Sequence, residues 1–263
     1  MALNRGIFPG TFTMGNAVCG FLSILSAFED KVVEACWFVI LAGFLDALDG
    51  KVARLSRTSS QFGVELDSLA DFLSFGVAPA VIVHSIKLSA LGKWGWIISV
   101  VYIMATAYRL ARFNLMAEEE EKKDFLGLPV PAAAFGLVSY IIMSYHLWGG
   151  LRYDDPLVSM IVLFAFLMVS QVQYDTLPDR FQTGFDRIKA VYLLVGLGLL
   201  LLTIIINTKL FNYRVLLFPF VAMYILFGVI REFYRLFSVG VGKVTGRPSN
   251  RRSQEKEESH VGN

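Results

Sequence analysis

Charge is what this chain has least of. Only 17% of its 263 residues are Asp, Glu, Lys or Arg, while 55% are hydrophobic; a soluble domain carries about 25% charged residues. Mean hydropathy is +0.57, a poor fit to a water-soluble globule. The net charge of +2 offers no electrostatic footprint for nucleic acid, and no such partner is expected. Cysteine is nearly absent: Cys19 and Cys36 both fall in apolar segments. That excludes a disulfide framework or a thiolate zinc site, and both read as small packing residues. The three histidines, His84, His146 and His260, share no ligand spacing. Strict apolar–polar alternation is missing too. The apolar runs are continuous and rich in Leu, Ile, Ala and Phe, which argues against a β-barrel. The start, MALNRGIFPG, lacks a basic region leading into an apolar stretch and a small-residue cleavage site. No cleavable signal peptide is predicted.

What the chain has is a succession of apolar runs near the roughly 20 residues that cross a bilayer. They predict an all-α, polytopic transmembrane helical bundle of about eight spans, near 11–28, 33–56, 63–86, 93–116, 127–148, 156–172, 190–206 and 214–237. Residues 1–238 form one integral membrane domain in this reading. Residues 239–263, polar and charged, form a disordered cytoplasmic tail. With eight spans, Lys31, Lys87, Lys93, Arg152, Lys209 and Arg214 fall on one side, and the other eighteen of the 24 basic residues fall on the opposite side. The positive-inside rule then puts both termini in the cytoplasm.

Against this apolar background stands DALDGKVARLSRTSSQFGVELDSLAD, residues 46–71. Asp46, Asp49, Gly50, Ala53 and Arg54 fall within an arc of roughly 140° on one helix. Gly63, Asp67 and Asp71 repeat at i, i+4 and i+8 on the next. The intervening RTSSQ suits a turn, so a helical hairpin would bring two carboxylates from each helix into one cleft at the cytoplasmic end. Four such groups in low dielectric repel one another, and cations relieve that repulsion. Oxygen-only ligands favour hard ions, so one or two Mg²⁺ or Mn²⁺ are expected. Such ions bridge phosphates and neutralise developing charge in phosphoryl transfer. The small residues would let a ligand approach the backbone, and Arg54 could pair with a phosphate oxygen. The bland alternative pairs these acids with Lys51, Arg54 and Arg57 at a wet helix end. It accounts for any one aspartate better than for all four in phase with the small residues.

The pattern Asp46-x2-Asp49-Gly50-x2-Ala53-Arg54-x8-Gly63-x3-Asp67-x3-Asp71 resembles the complete signature of the CDP-alcohol phosphotransferase family. All eight defined positions match. The resemblance implies an integral membrane enzyme, a homodimer, with a two-metal site. Such an enzyme moves the phosphatidyl part of a CDP-linked lipid onto an alcohol and releases CMP. It implies that Asp46, Asp49, Asp67 and Asp71 hold metal, that Asp71 is also the catalytic base, and that Gly50, Ala53, Arg54 and Gly63 belong to the nucleotide site.

Other stretches are similar to the phosphatidylserine synthase branch of that family: DSLADFLSFGVAPA (67–80), YRLARFN (108–114), GLPVPAAA (127–134) and LMVSQVQY (167–174). PGTFTMGNAVCG (9–20) resembles the branch's N-terminal nucleotide-binding element. Thr13, Asn16 and Gly20 match it, and Gly10 stands where an Asn is usual. On the residues alone, Thr13 and Asn16 read as polar residues near a helix start. Arg109, Arg112 and Asn114 end the fourth span. They anchor the interface in one reading; in the other they receive a small anionic or zwitterionic acceptor, for which an arginine fork suits a carboxylate. Pro129 and Pro131 shape the start of the fifth span. The likeness extends over about residues 9–174 and fades in the last two spans.

The resemblance therefore implies CDP-diacylglycerol, or an archaeal ether-lipid equivalent, and L-serine as substrates, with CMP leaving. Glycerol 3-phosphate or inositol phosphate are competing acceptors that would ask for more cationic residues at the cleft. A cation transporter could also use intramembrane carboxylates, but would not need Gly50, Ala53, Arg54 and Gly63 at these offsets.

Overall fold

The computed structural model describes residues 7–56, 61–118, 127–152, 154–170, 172 and 213–244. Among these every regular element is helical. The elements are α1 (Ile7–Phe28), α2 (Val32–Ser56), α3 (Gln61–Asp71), a π-helical turn (Phe72–Val77), α4 (Ala78–Ile86), a 3-10 turn (Leu88–Leu91), α5 (Lys93–Glu118), α6 (Val130–Trp148), α7 (Asp154–Val169) and α8 (Tyr213–Val244). Seven of the eight predicted spans correspond to these helices, with α3, the π turn and α4 making one continuous rod. The span expected at 190–206 lies outside the described residues, as do tail residues 245–263. The last helix runs to Val244, past the boundary expected at 238.

Among the described residues, four stretches are long and apolar enough to cross a membrane: Gly10–Phe28, Gln61–Ile86, Lys93–Met116 and Val130–Trp148. Shorter apolar helices occupy Asp155–Val169 and Arg214–Ile230. α2 is also long, but its apolar sequence is interrupted by Glu34, Asp46, Asp49, Lys51 and Arg54. Exposed apolar side chains recur every three or four residues on α1 (Met14, Val18, Phe21, Leu25, Phe28) and on α5 (Trp94, Ile97, Val101, Met104, Tyr108). Such stripes suit contact with lipid, where no water penalises them.

In lipid, helices gain little from hiding apolar surface and associate instead through close packing at small residues. α2 and α6 meet where Gly43 leaves room for the Phe135 ring, and α6 meets α7 where Gly136 does the same for Phe164. α1 and α2 form an antiparallel hairpin with the most extensive contact in the fold. Its turn is closed by Asp30 in the left-handed region (φ 58°). Asp30 N–H donates to Ala27 O (3.3 Å) and Lys31 N–H to Ser26 O (2.9 Å), so the last carbonyls of α1 are satisfied. The Ser23 hydroxyl then ties α1 to Ala35 O at 2.8 Å.

The α3–α4 rod packs between α1 on one side and α5 and α6 on the other, while α5 leans on α7 and α6 on α8. Gly127 (φ +84°) lies directly against Met168 O, where a side chain would not fit. Its N–H donates to Val172 O (2.8 Å) and Leu128 N–H to Leu167 O (3.0 Å). Pro129 caps α6 and Pro131 sits in its first turn, where a missing N–H costs nothing. This packing fixes one end of the bundle, to which α1 brings its start, α2 its finish and α3 its start.

Candidate active site

The aspartates of α2 and of α3 face one another. One carboxylate oxygen from each of Asp46, Asp67 and Asp71 lies within 4.8 Å of the others. All three are half-buried. Asp49 is more enclosed, only 7% exposed, and its Oδ2 accepts a 2.6 Å hydrogen bond from the Thr13 hydroxyl of α1. Asp49 therefore lies outside the close group of three and is held from the neighbouring helix. Oδ1 of Asp49 and Oδ1 of Asp67 are buried with no hydrogen-bond partner among the described residues. Buried oxygens are costly when left in that condition.

α1 supplies the donors. Thr13 and Asn16 are one helical turn apart and share a face. Asn16, fully buried, donates from Nδ2 to Asp71 Oδ1 at 2.9 Å. Two glycines let α1 come this close. A Cβ on Gly15 would sit 3.2 Å from Leu45, and one on Gly20 would stand 2.8 Å from Ser74 Cα. Thr13 and Asn16, expected from the resemblance to contact nucleotide, thus hold the carboxylates. Gly50, by contrast, is exposed and has nothing within 4 Å of where a side chain would begin. Gly63 is half-buried one turn before Asp67. Ala53 and Arg54 follow Gly50 on α2, and their side chains lie outside the described residues.

The three residues expected at the acceptor site part company. Arg109 is 7% exposed, its Nε has no partner among the described residues, and its guanidinium lies 5.1 Å from the Phe113 ring centre. It is near enough to Asp71 for their opposite charges to attract. Arg112 instead reaches the end of α7, donating to the carbonyls of Val169 and Ser170 at 3.4 Å each. That is the placement a helix C-terminus favours for a cation. Asn114 Nδ2 donates to Ser68 Oγ at 2.9 Å, joining α5 to α3.

Beyond the expected residues, the structure adds Ser68, Ser74 and Tyr102. Ser74 stands seven residues after Asp67 and three after Asp71, on the same stripe, so periodicity alone could have found it. Tyr102 has no such signal, since its hydroxyl crosses from α5 to Phe75 O (3.2 Å).

The donor set fits a hard divalent cation. It is all carboxylate oxygen, drawn together from two helices, with two buried oxygens unpartnered among the described residues. A profile of the CDP-alcohol phosphatidyltransferase family matches residues 6–172. The chain belongs to that family. The CDP-alcohol phosphatidyltransferase match spans α1 to α7 and so contains every aspartate of the site. The chain is accordingly a transferase of phospholipid synthesis. It is similar to the CDP-diacylglycerol–serine O-phosphatidyltransferase of Helicobacter pylori, 34% identical over 235 residues covering 89% of this chain and 94% of the relative. The enzymes of that name from Bacillus subtilis (34% over 167 residues; 63% and 88% of the two chains) and Methanocaldococcus jannaschii (35% over 170; 64% and 73%) are similar as well.

Proposed function

We propose that the protein transfers the phosphatidyl group of CDP-diacylglycerol to the hydroxyl of L-serine, giving phosphatidylserine and CMP. The observation that carries this reading is the carboxylate group of Asp46, Asp67 and Asp71, in a chain whose long relatives share that activity by name. Asp46, Asp49, Asp67 and Asp71 hold two divalent ions, Mg²⁺ or Mn²⁺. When bound, these supply charge neutralisation for the diphosphate and for the leaving CMP.

The chain's own residues do the rest. Asp71, oriented by Asn16, takes the proton of the serine hydroxyl. The serine oxygen forms its bond to the lipid-linked phosphorus as the bond from that phosphorus to the CMP oxygen breaks. Gly50, where a side chain would have space, admits the nucleotide with Ala53, Arg54 and Gly63, and Arg54 pairs with its phosphate. Thr13 and Asn16 border the same site. Arg109, buried with an unpartnered Nε, receives the serine carboxylate; Arg112 and Asn114 support it from the same helix end. A phosphorylated acceptor would bring at least one further negative charge, for which the described site offers Arg109 as its deeply buried cation.

The enzyme is a multi-pass protein of the cytoplasmic membrane, with eight spans, both termini and the active site on the cytoplasmic side, and a homodimeric assembly. The eighteen-to-six distribution of basic residues supports the orientation. The deciding experiment measures CMP release from CDP-diacylglycerol by purified protein, comparing serine, glycerol 3-phosphate and inositol phosphate under Mn²⁺ and Mg²⁺. Serine-dependent release is expected. Release that ignores serine and follows another acceptor would overturn the assignment.

A further inference from the structure

We infer that Ser74 is a positioning residue for Asp71, acting through Asn16. This rests on the reading of Asp71 as metal ligand and base. Three contacts close a ring between α1 and the α3–α4 rod. Asn16 Nδ2 donates to Asp71 Oδ1 at 2.9 Å. The rod continues from Asp71 into the π turn, where the Ser74 hydroxyl donates to the main-chain oxygen of the same Asn16 at 2.9 Å. Gly20, one turn along α1, lies so close to Ser74 that a side chain there would meet its hydroxyl and its Cα. Asn16 is therefore gripped at its backbone by the residue three positions beyond the carboxylate that its side chain orients.

Ser74 and Asn16 are both fully buried, so the bond between them is shielded from water. An ordinary serine in a helix bonds back to a carbonyl of its own helix, as Ser68 does to Val64 O (3.1 Å). Ser74 crosses to the other helix instead. The π turn is itself fastened on its far side. Tyr102 donates to Phe75 O at 3.2 Å, and Gly76 admits the Thr106 methyl 2.8 Å from where its own Cβ would be. Short π segments inside α-helices recur at functional sites. Here the segment begins at the residue after Asp71 and presents Ser74 to α1.

The consequence is separable from stability. Ser74 touches neither the carboxylate group nor an open surface, so losing its hydroxyl removes no carboxylate from the site. What it removes is the added bond on the Asn16 carbonyl, and with it part of what holds the direction of Asp71 Oδ1. The test uses full-length purified protein and Mn²⁺ as probe, its binding followed by electron paramagnetic resonance without substrate. Ser74→Ala and Ser74→Cys are compared, the second keeping the volume of the buried site while donating poorly.

Mn²⁺ binding weaker by about three- to tenfold is expected in both variants, the range of one ordinary hydrogen bond. kcat should fall with it, KM for CDP-diacylglycerol should hold, and excess Mn²⁺ should restore much of the rate. If both variants bind Mn²⁺ like the parent and only their melting temperature drops, Ser74 merely packs and the inference is overturned. Asp71→Asn separates the two levels. If it loses Mn²⁺ affinity while the Ser74 variants do not, only the inference about Ser74 fails. If Asp71→Asn binds Mn²⁺ and turns over like the parent, the reading of Asp71 fails and takes this inference with it.

Discussion

The two ends of the helical bundle use carboxylates in opposite ways. At one end the α1–α2 turn exposes Glu29, which pairs with Lys31 at 2.7 Å while both side chains remain more than half exposed. Lysine beside it draws the Glu29 carboxyl below its ordinary range, and the glutamate pushes the lysine up. Water screens both, and such pairs contribute little to stability. At the other end Asp49 and Asp71 receive side-chain hydrogen bonds from the neutral donors Thr13 and Asn16, and buried oxygens of Asp49 and Asp67 receive none among the described residues. The first carboxylate is completed by protein and solvent. The second group is left for something else to complete, and its cost is what marks it as a site.

Removing that completing partner is the strongest way to break the contrast. EDTA should abolish CMP release, and Mn²⁺ or Mg²⁺ should restore it, with the Glu29–Lys31 end indifferent to both. Asp71→Asn comes next, with kcat lower by about 10²- to 10⁴-fold, the usual worth of a positioned base; full activity in that variant would remove Asp71 from its role. Asn16→Ala strips a donor from a charged acceptor and should lower turnover about 10- to 100-fold, read as kcat at saturating metal. Gly20→Ala forces a methyl towards Ser74 and should destabilise the fold by about 1–3 kcal/mol, seen as a lower melting temperature in detergent. Lys31→Ala is the smallest. It should leave both melting temperature and CMP release where they were, and a drop in release would show the two ends to be coupled.

The helices and the aspartates were legible because each rests on a local pattern. Apolar runs of bilayer length located α1 to α7 within a few residues, and the i, i+4, i+8 stripe of Gly63, Asp67 and Asp71 placed those acids on one face. What one helix receives from another was not legible in the same way. The bond from Asn16 to Asp71 spans 55 positions and depends on how closely Gly15 and Gly20 let α1 approach. Asp49 shares the helical face of Asp46, yet packing against Thr13 sets it apart. Arg112 looks like a partner to Arg109 at i+3, and only the position of α7 shows which carbonyls it reaches. The π turn was not legible either, because one serine and one glycine in the otherwise apolar Phe72–Val77 are ordinary in a membrane helix.

That turn bears on how relatives should be aligned. A helical turn closed i→i+5 takes up roughly one residue more than an α turn, and it does so without rotating the helices on either side. A relative one residue shorter between Asp71 and Ala78 could keep its aspartates facing one another and its next helix facing the same neighbours. It would forfeit the reach of Ser74 across to α1. A single-residue gap at this point is thus a change in how the site is braced, not in whether the site is there.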